Sequence, residues 1–418
     1  MSTTLSSGTG FPRIHVVDAV RGFALAGVAL VHMVEMYLGA PMPEAQQAAM
    51  ISRPIDKVVM GFDGALLIGK FYILFSLLFG LSFFIQMDRA HRRGIDFRGR
   101  FAWRLVILFG IGFLHHLFYR ADILTTYAVL GLLLIPSYRL PSRWLLGLAA
   151  VLFLGAGRFL SFAAFGPAPF TGGELSQSAP WVTAYWDVLT QGSLWDVFSV
   201  NALGAYPPLL DFQYGVFGRG YITLGLFFLG LWLGRTRFFE GVLDQRRFVT
   251  RALWISSGAS IAALLLGGLV LFLVWPVTSV DSWGTAVLLT VGDLFNLSFS
   301  GVWLFGFLAL CQRGFGEKVV RAFAPYGRMA LTNYVLLGVV GAFIYHGWGL
   351  GRLGVWRPAD AAGAGLLLIA LGLLASRLWL AHFHYGPLEW LWRSLTFMKG
   401  FPFRRRALPE PGVDLAAA

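Results

Sequence analysis

Ten runs of apolar residues, most of them long enough to cross the roughly 30 Å of a bilayer's hydrocarbon, decide what this chain can fold into. They lie at 16–38, 63–87, 101–119, 123–138, 144–166, 216–234, 252–275, 284–311, 326–348 and 361–381. In lipid, every backbone N–H and C=O must be satisfied within the protein, and single segments of this length do so as helices. The expected class is all-α: a polytopic integral membrane bundle of about ten transmembrane helices over 16–381. A polar N-terminal tail (1–15) precedes it, and an interfacial helix with a basic tail (382–418) follows. Composition agrees. With 57% hydrophobic and 13% charged residues, the chain has about half the charge of a soluble protein, which excludes a water-soluble globule and a disordered chain. The first run carries Asp18 and Arg21 at its head; it is too long and too polar there for a cleaved signal, and reads as a retained helix.

The chain has 33 Lys+Arg against 21 Asp+Glu, a net charge of +12. In a soluble protein that excess would point to nucleic acid. Here the arginines collect in alternate loops, at Arg89–Arg100, Arg139–Arg143, Arg235–Arg251 and Arg313–Arg321, and in the tail from Arg393 to Arg406. That pattern places those loops and both termini in the cytoplasm, against anionic membrane lipids, with no nucleic-acid partner. The segment 167–215 then lies outside. It has no Lys or Arg, four carboxylates (Glu174, Asp187, Asp196, Asp211) and three tryptophans (Trp181, Trp186, Trp195), so it is expected to lie on the membrane surface or to lid a cavity there. A single cysteine, Cys311, allows no intramolecular disulfide, and the eight histidines show no metal-ligand spacing, so no metal is expected.

Charged side chains inside a bilayer are paired or line a watery cavity. At about 1.5 Å per residue, Lys70, Arg158 and Arg219 fall in the outer half of the bundle, as do Asp63, Asp122, Asp293 and Asn296. So do four histidines: His32, His115, His116 and His346. Two readings stay open. These groups are separate structural pairs and anchors, or they converge on one outward-facing polar cavity. Asp18 and Arg21, three apart, pair on one face near the inner surface, as a helix-end salt bridge would.

Several stretches carry a family resemblance. Arg13-Ile-His-Val-Val-Asp18-Ala-Val-Arg21-Gly-Phe-Ala-Leu opens the chain. Lys70-Phe71, Leu78-Phe79-Gly80, Gly112-Phe-Leu-His115, Asp122-Ile-Leu and Tyr127-Ala128 follow. Tyr326-Gly-Arg328-Met-Ala-Leu-Thr-Asn333-Tyr and the tail Gly386-Pro-Leu-Glu389-Trp-Leu-Trp392-Arg393 complete the set. Together they resemble the YeiB-like proteins, domain of unknown function 418, from the first helix to the tail. The resemblance implies a bundle of roughly ten membrane helices, multi-pass in a bacterial cytoplasmic membrane. The family is similar to a wider group of transmembrane acyltransferases that includes the heparan-α-glucosaminide N-acetyltransferases, which move an acyl group from cytoplasmic acyl-CoA to a sugar across the membrane. Other YeiB-like members are labelled as transport proteins. This chain has His32 where family members commonly have asparagine, and Gly39 to Phe62 contains no histidine, unlike the first outer loop of the glucosaminide acetyltransferases.

Three functions are expected to compete. The first is acyl transfer from acyl-CoA to a small-molecule, glycan or lipid-linked acceptor, with no permanently bound cofactor. His115 oriented by Asp122 would be the base, His32 a second candidate, and Lys70 or Arg219 would hold the oxyanion. Asp63, Tyr127, Arg158, Arg219, Asp293, Asn296 and His346 would line the substrate site, and Arg100 and Arg104 would meet the CoA phosphates. The second is secondary transport through the same polar groups, against which stands the lack of proline at mid-span; glycine pairs such as Gly110/Gly112 and Gly267/Gly268 could break a helix, and close helix packing explains them equally well. The third is a non-catalytic scaffold that docks a partner on its tail.

Overall fold

The computed structural model of the 418-residue chain describes residues 13–38, 42–43, 46, 49–171, 180–274 and 282–405. Glu174, most of the polar N-terminal tail and the basic tail from Arg406 lie outside the described residues. The described chain is helical: α1 (Arg13–Leu38), α2 (Pro54–Phe62), α3 (Phe71–His91), α4 (Arg98–Phe118), α5 (Leu124–Ser137), α6 (Ser142–Phe153), α7 (Ala156–Phe165), α8 (Pro180–Gln191) and α9 (Leu194–Ser199). It continues with α10 (Tyr206–Tyr214), α11 (Arg219–Arg235), α12 (Arg246–Val274), α13 (Trp283–Cys311), α14 (Gly316–Arg328), α15 (Ala330–Tyr345), α16 (Pro358–His382) and α17 (Pro387–Phe397). Among the described residues, six helical stretches are long and apolar enough to span a membrane, or up to nine if three bent pairs are each one span. The chain is a polytopic membrane bundle. The ten apolar runs fall on these helices, with 144–166 divided between α6 and α7 and 326–348 between α14 and α15; α5, with 14 residues, is too short to reach across alone.

The bends are not where glycine pairs suggested. Helices α4 and α12 run unbroken through Gly110/Gly112 and Gly267/Gly268. The chain instead turns by 53° between α6 and α7, by 58° between α10 and α11, and by 72° between α14 and α15. Gly155 and Gly218 make the first two turns possible, with φ of 85° and 60°, backbone that a residue with a Cβ rarely adopts.

Close helix crossings explain the sequence blocks around Gly22 and Gly327. Where α1 crosses α14, a Cβ on Gly22 would lie 2.1 Å from the Phe323 carbonyl oxygen, and one on Gly327 would lie 1.9 Å from that of Asp18. The same mutual approach recurs between α3 and α11: a Cβ on Gly80 would meet the Phe227 oxygen at 2.2 Å, and one on Gly230 the Leu77 oxygen at 2.1 Å. In lipid, where apolar burial gives little drive for helix association, such backbone contact is what packs helices. Beside the first crossing, Arg21 Nη1 donates to Asp18 Oδ1 at 2.8 Å and Nη2 to Ser82 Oγ at 3.0 Å, tying α1 to α3.

The arginine-rich loops share one end of the bundle. Arg235 donates to the carbonyls of Leu140 (2.6 Å) and Tyr138, and Gln312 to those of Val242 and Leu243. Helix α17 is clamped there. Glu389 accepts from the N–H groups of Leu331 and Thr332 (2.8 and 3.1 Å) and from the Thr332 hydroxyl. It thus caps the start of α15, whose free N–H groups would otherwise be buried unpaired. Burial pushes the Glu389 carboxyl up, against the pull of the Thr332 hydrogen bonds. Trp392 donates to the Arg104 carbonyl at 2.8 Å, and the Arg104 guanidinium lies 3.5 Å from the centre of its ring. Arg393 faces the rings of Tyr385, Phe397 and Phe401, and Arg328 reaches the His384 carbonyl at 3.4 Å. Asn333, behind the cap, donates to the Tyr326 carbonyl and to Ser376 Oγ at 3.2 and 2.9 Å.

Two expectations follow. Gly22→Ala or Gly327→Ala should lower stability by about 1–3 kcal/mol or more, because backbone must move. Gly110→Ala, where nothing lies within 4 Å, should leave thermal unfolding in detergent unchanged. Glu389→Ala should uncap α15, with a loss of about 1–3 kcal/mol, and should open residues 383–405 to protease earlier than in the parent protein.

Candidate functional site

The apolar periodicity of α1 breaks at its outer end, where His32 and Glu35 stand three residues apart and therefore on one face. That face borders a cavity of about 450 Å³ at the end of the bundle opposite the arginine-rich loops, within the range of small-ligand sites. Its other walls come from the start of α3 (Phe71, Tyr72, Phe75), the α4–α5 connection (Phe118, Tyr119, Ala121, Ile123), Tyr127 and Tyr334. The described part of 167–215 covers it: Trp181, Tyr185 and Leu189 of α8 and Pro208, Leu209, Phe212 and Gln213 of α10 face the cavity, while Trp195 is exposed. Arg219, His346 and Arg120 add the remaining polar groups.

The His32 ring lies 4.9 Å from the Tyr119 ring and 5.7 Å from that of Tyr334, centre to centre. The Tyr334 oxygen accepts from the Ile123 N–H at 3.3 Å, which leaves its O–H to donate. Across the cavity, the Arg219 guanidinium lies 4.4 Å from the centre of the Tyr72 ring and 5.4 Å from that of Phe212, a cation–π sandwich. Its Nη1 comes within 3.8 Å of Asp293 Oδ1, too far for a hydrogen bond.

The expected polar groups do not all meet there. Of the catalytic candidates, His32 alone borders the cavity. His115 does pair with Asp122, Nδ1 to Oδ1 at 2.8 Å, but both side chains are fully buried. Asp122 Oδ2 also accepts from the Thr125 N–H at 2.9 Å, as a cap of α5 does. His115 Nε2 points at α15, 2.0 Å from where a Cβ on Gly338 would sit. The pair therefore joins α4, α5 and α15 and does not border this cavity. Lys70 is buried away from the cavity, with its Nζ donating to the Gly64 carbonyl at 3.0 Å and lying over the Phe295 ring. The carboxylate of Asp63, also buried, makes no hydrogen bond among the described residues.

Tyr127, Arg219 and His346 border the cavity as expected, whereas Asp63, Arg158, Asp293 and Asn296 do not. Tyr127 is engaged with Ser76 Oγ at 2.6 Å. Arg158 is a buried hub. It pairs with Asp293 and donates to the Val216 and Phe217 carbonyls (2.6 and 2.7 Å) and to Thr290 Oγ1 (2.5 Å). It thereby fixes the turn that leads into Arg219. Asn296 packs on Gly69, whose φ is +79°. Arg100 and Arg104 lie at the other end of the bundle, against Phe397 and Trp392 of α17, so their guanidinium faces are taken by rings. Glu35, Tyr72, Arg120 and Gln213 join the site without having been expected. Glu35 was legible, as a carboxylate in an apolar span one turn from a histidine; Tyr72 and Gln213 carry no signal in the sequence.

Residues 233–399 match the family model described as "Protein of unknown function (DUF418)". The chain is 28% identical to the uncharacterized protein YxaH of Bacillus subtilis (strain 168), over 94% of this chain and 96% of that one. It is 28% identical to the uncharacterized protein YeiB of Escherichia coli (strain K12), over 92% and 97% respectively. It is 25% identical to an uncharacterized 39.9 kDa protein in the amylase 3′ region of Bacillus acidopullulyticus, over 93% and 95%. The matched residues include the α14–α15 bend, its Glu389 cap and the α17 clamp, and the similarity to bacterial relatives runs on through α1 and the cavity. This multi-pass membrane protein is thus similar to the DUF418 family through residues 233–399 and to uncharacterized bacterial proteins over nearly its whole length.

Proposed function

We propose that this protein is a membrane acyltransferase in which His32 activates the acceptor. One observation carries the reading: His32 and Glu35 share a face of α1 and open, together with the Tyr334 hydroxyl, onto an aromatic-walled cavity. Acyl transfer needs a base and an oxyanion donor in a site that holds little water. The His32 ring takes the proton of an acceptor hydroxyl or amine as its oxygen or nitrogen attacks the acyl-CoA carbonyl. Tyr334 donates to the oxyanion that forms. The C–S bond then breaks, and the departing CoA sulfur takes the proton back from His32. Glu35 stabilises the imidazolium in between. The family resemblance supports the same reading.

Transport is the second reading, favoured by the 58° bend between α10 and α11, both of which line the cavity; discontinuous helices of this kind often bound transporter sites.

Purified protein in lipid, given radiolabelled acetyl-CoA, should transfer label to added glycans or lipids. His32→Gln should reduce transfer by about 100-fold or more while leaving thermal unfolding unchanged. His115→Gln should instead lower stability by about 3 kcal/mol, as breaking a buried pair does. No CoA binding or hydrolysis, together with solute uptake that depends on His32 and Glu35, would favour transport. A reporter fused after residue 405 should be active only as a cytoplasmic form; periplasmic activity would reverse the orientation.

A further inference from the structure

We propose that the cavity binds an anionic amphiphile, with its phosphate or carboxylate head on Arg219 and its apolar chain along the aromatic wall. This rests on the acceptor site proposed above and names the class of molecule that fills it.

Charge carries the first part. Arg158 already holds Asp293 and spends its other N–H groups on Val216, Phe217 and Thr290. Asp293 is thus satisfied from behind, and Arg219 reaches it only at 3.8 Å. Arg219 Nη1 makes no hydrogen bond among the described residues. Arg219 is also the first residue of α11, so the positive end of the helix adds to its field. The described cavity wall carries one carboxylate, Glu35, which shares the His32 face of α1. A ligand anion at Arg219 would give its open Nη1 the acceptor that Asp293, at 3.8 Å, does not supply. Gln213, only 4% exposed, borders the same spot with its side-chain oxygen unpartnered; an amide turned the other way offers N–H groups instead.

Shape carries the second part. Tyr72 and Phe212 sandwich the Arg219 guanidinium, so the charge is held in place before any ligand arrives. Beyond them, Phe71, Phe75 and Trp181 make most of the wall apolar. A small hydrophilic anion would leave those rings facing water. An anion with a hydrocarbon chain would cover them.

The test uses the full-length protein in uncharged detergent, titrated with decyl phosphate, decanol and inorganic phosphate, and read by calorimetry and by Trp181 fluorescence. Decyl phosphate should bind about tenfold or more tighter than decanol, and inorganic phosphate should not displace it. Arg219→Gln should erase the difference between decyl phosphate and decanol. If that variant fails to fold, the comparison in the parent protein still decides. Equal affinity for decyl phosphate and decanol would overturn the anion, and effective competition by inorganic phosphate would overturn the chain. Preference for decyl phosphate without acyl transfer from acetyl-CoA would remove the transferase and leave this site standing; transfer without the preference would do the reverse.

Discussion

A charge in hydrocarbon must be answered by the protein itself, and the interior of this bundle is arranged around that requirement. Arg158 is the clearest case. It is 2% exposed, and each nitrogen of its guanidinium has a partner: a carboxylate from α13, a hydroxyl one turn before it, and two carbonyls from the turn into α11. The carbonyls at that turn are free because the helix is bent there, and the arginine is what makes the bend tolerable. Arg158 thereby sets the angle at which α11 begins, and so the position of Arg219 at the cavity. His115 and Asp122 do the same between α4 and α5, and Glu389 does it from outside, reaching in from the tail to cap α15.

These three devices surround the cavity or support its walls from a distance, which gives the polar residues two kinds of work. Arg158, Glu389 and the His115–Asp122 pair hold broken or short helices together. His32, Glu35 and Arg219 face the cavity, whereas the unpartnered Asp63 carboxylate does not. The separation follows from desolvation: a group whose partners are all within the protein gains nothing from a ligand, whereas a half-answered one does. The segment 167–215, which has neither lysine nor arginine, closes the site with tryptophan and tyrosine rings rather than with further charge.

The clamp of α17 gives the tail blocks of the sequence a physical meaning. Glu389 is joined to α15 and Trp392 to α4 by hydrogen bonds, while Arg393 lies against rings of the tail itself. The described tail then returns antiparallel to itself, with Phe383 bridged to Arg404. Because α15 begins at the Glu389 cap, carries Tyr334 to the cavity wall and ends beside His346 on the same wall, the two ends of the bundle are connected through a single helix.

The membrane bundle and its spans were legible from the apolar runs alone, because burial in lipid is set by length and hydropathy and needs no knowledge of neighbours. The motif glycines could be read as significant but not explained; their purpose is the mutual approach of Gly22 with Gly327 and of Gly80 with Gly230, pairs far apart in sequence. The site was legible only in part. Sequence can place Lys70, Arg158, Asp293 and His115 at the right depth, since depth follows from rise per residue. It cannot say which way each faces, because that is the rotation of one helix against another, decided by packing. So a cluster that looked like one pocket in the sequence divides in space into satisfied supports and a smaller cavity around His32, Glu35 and Arg219.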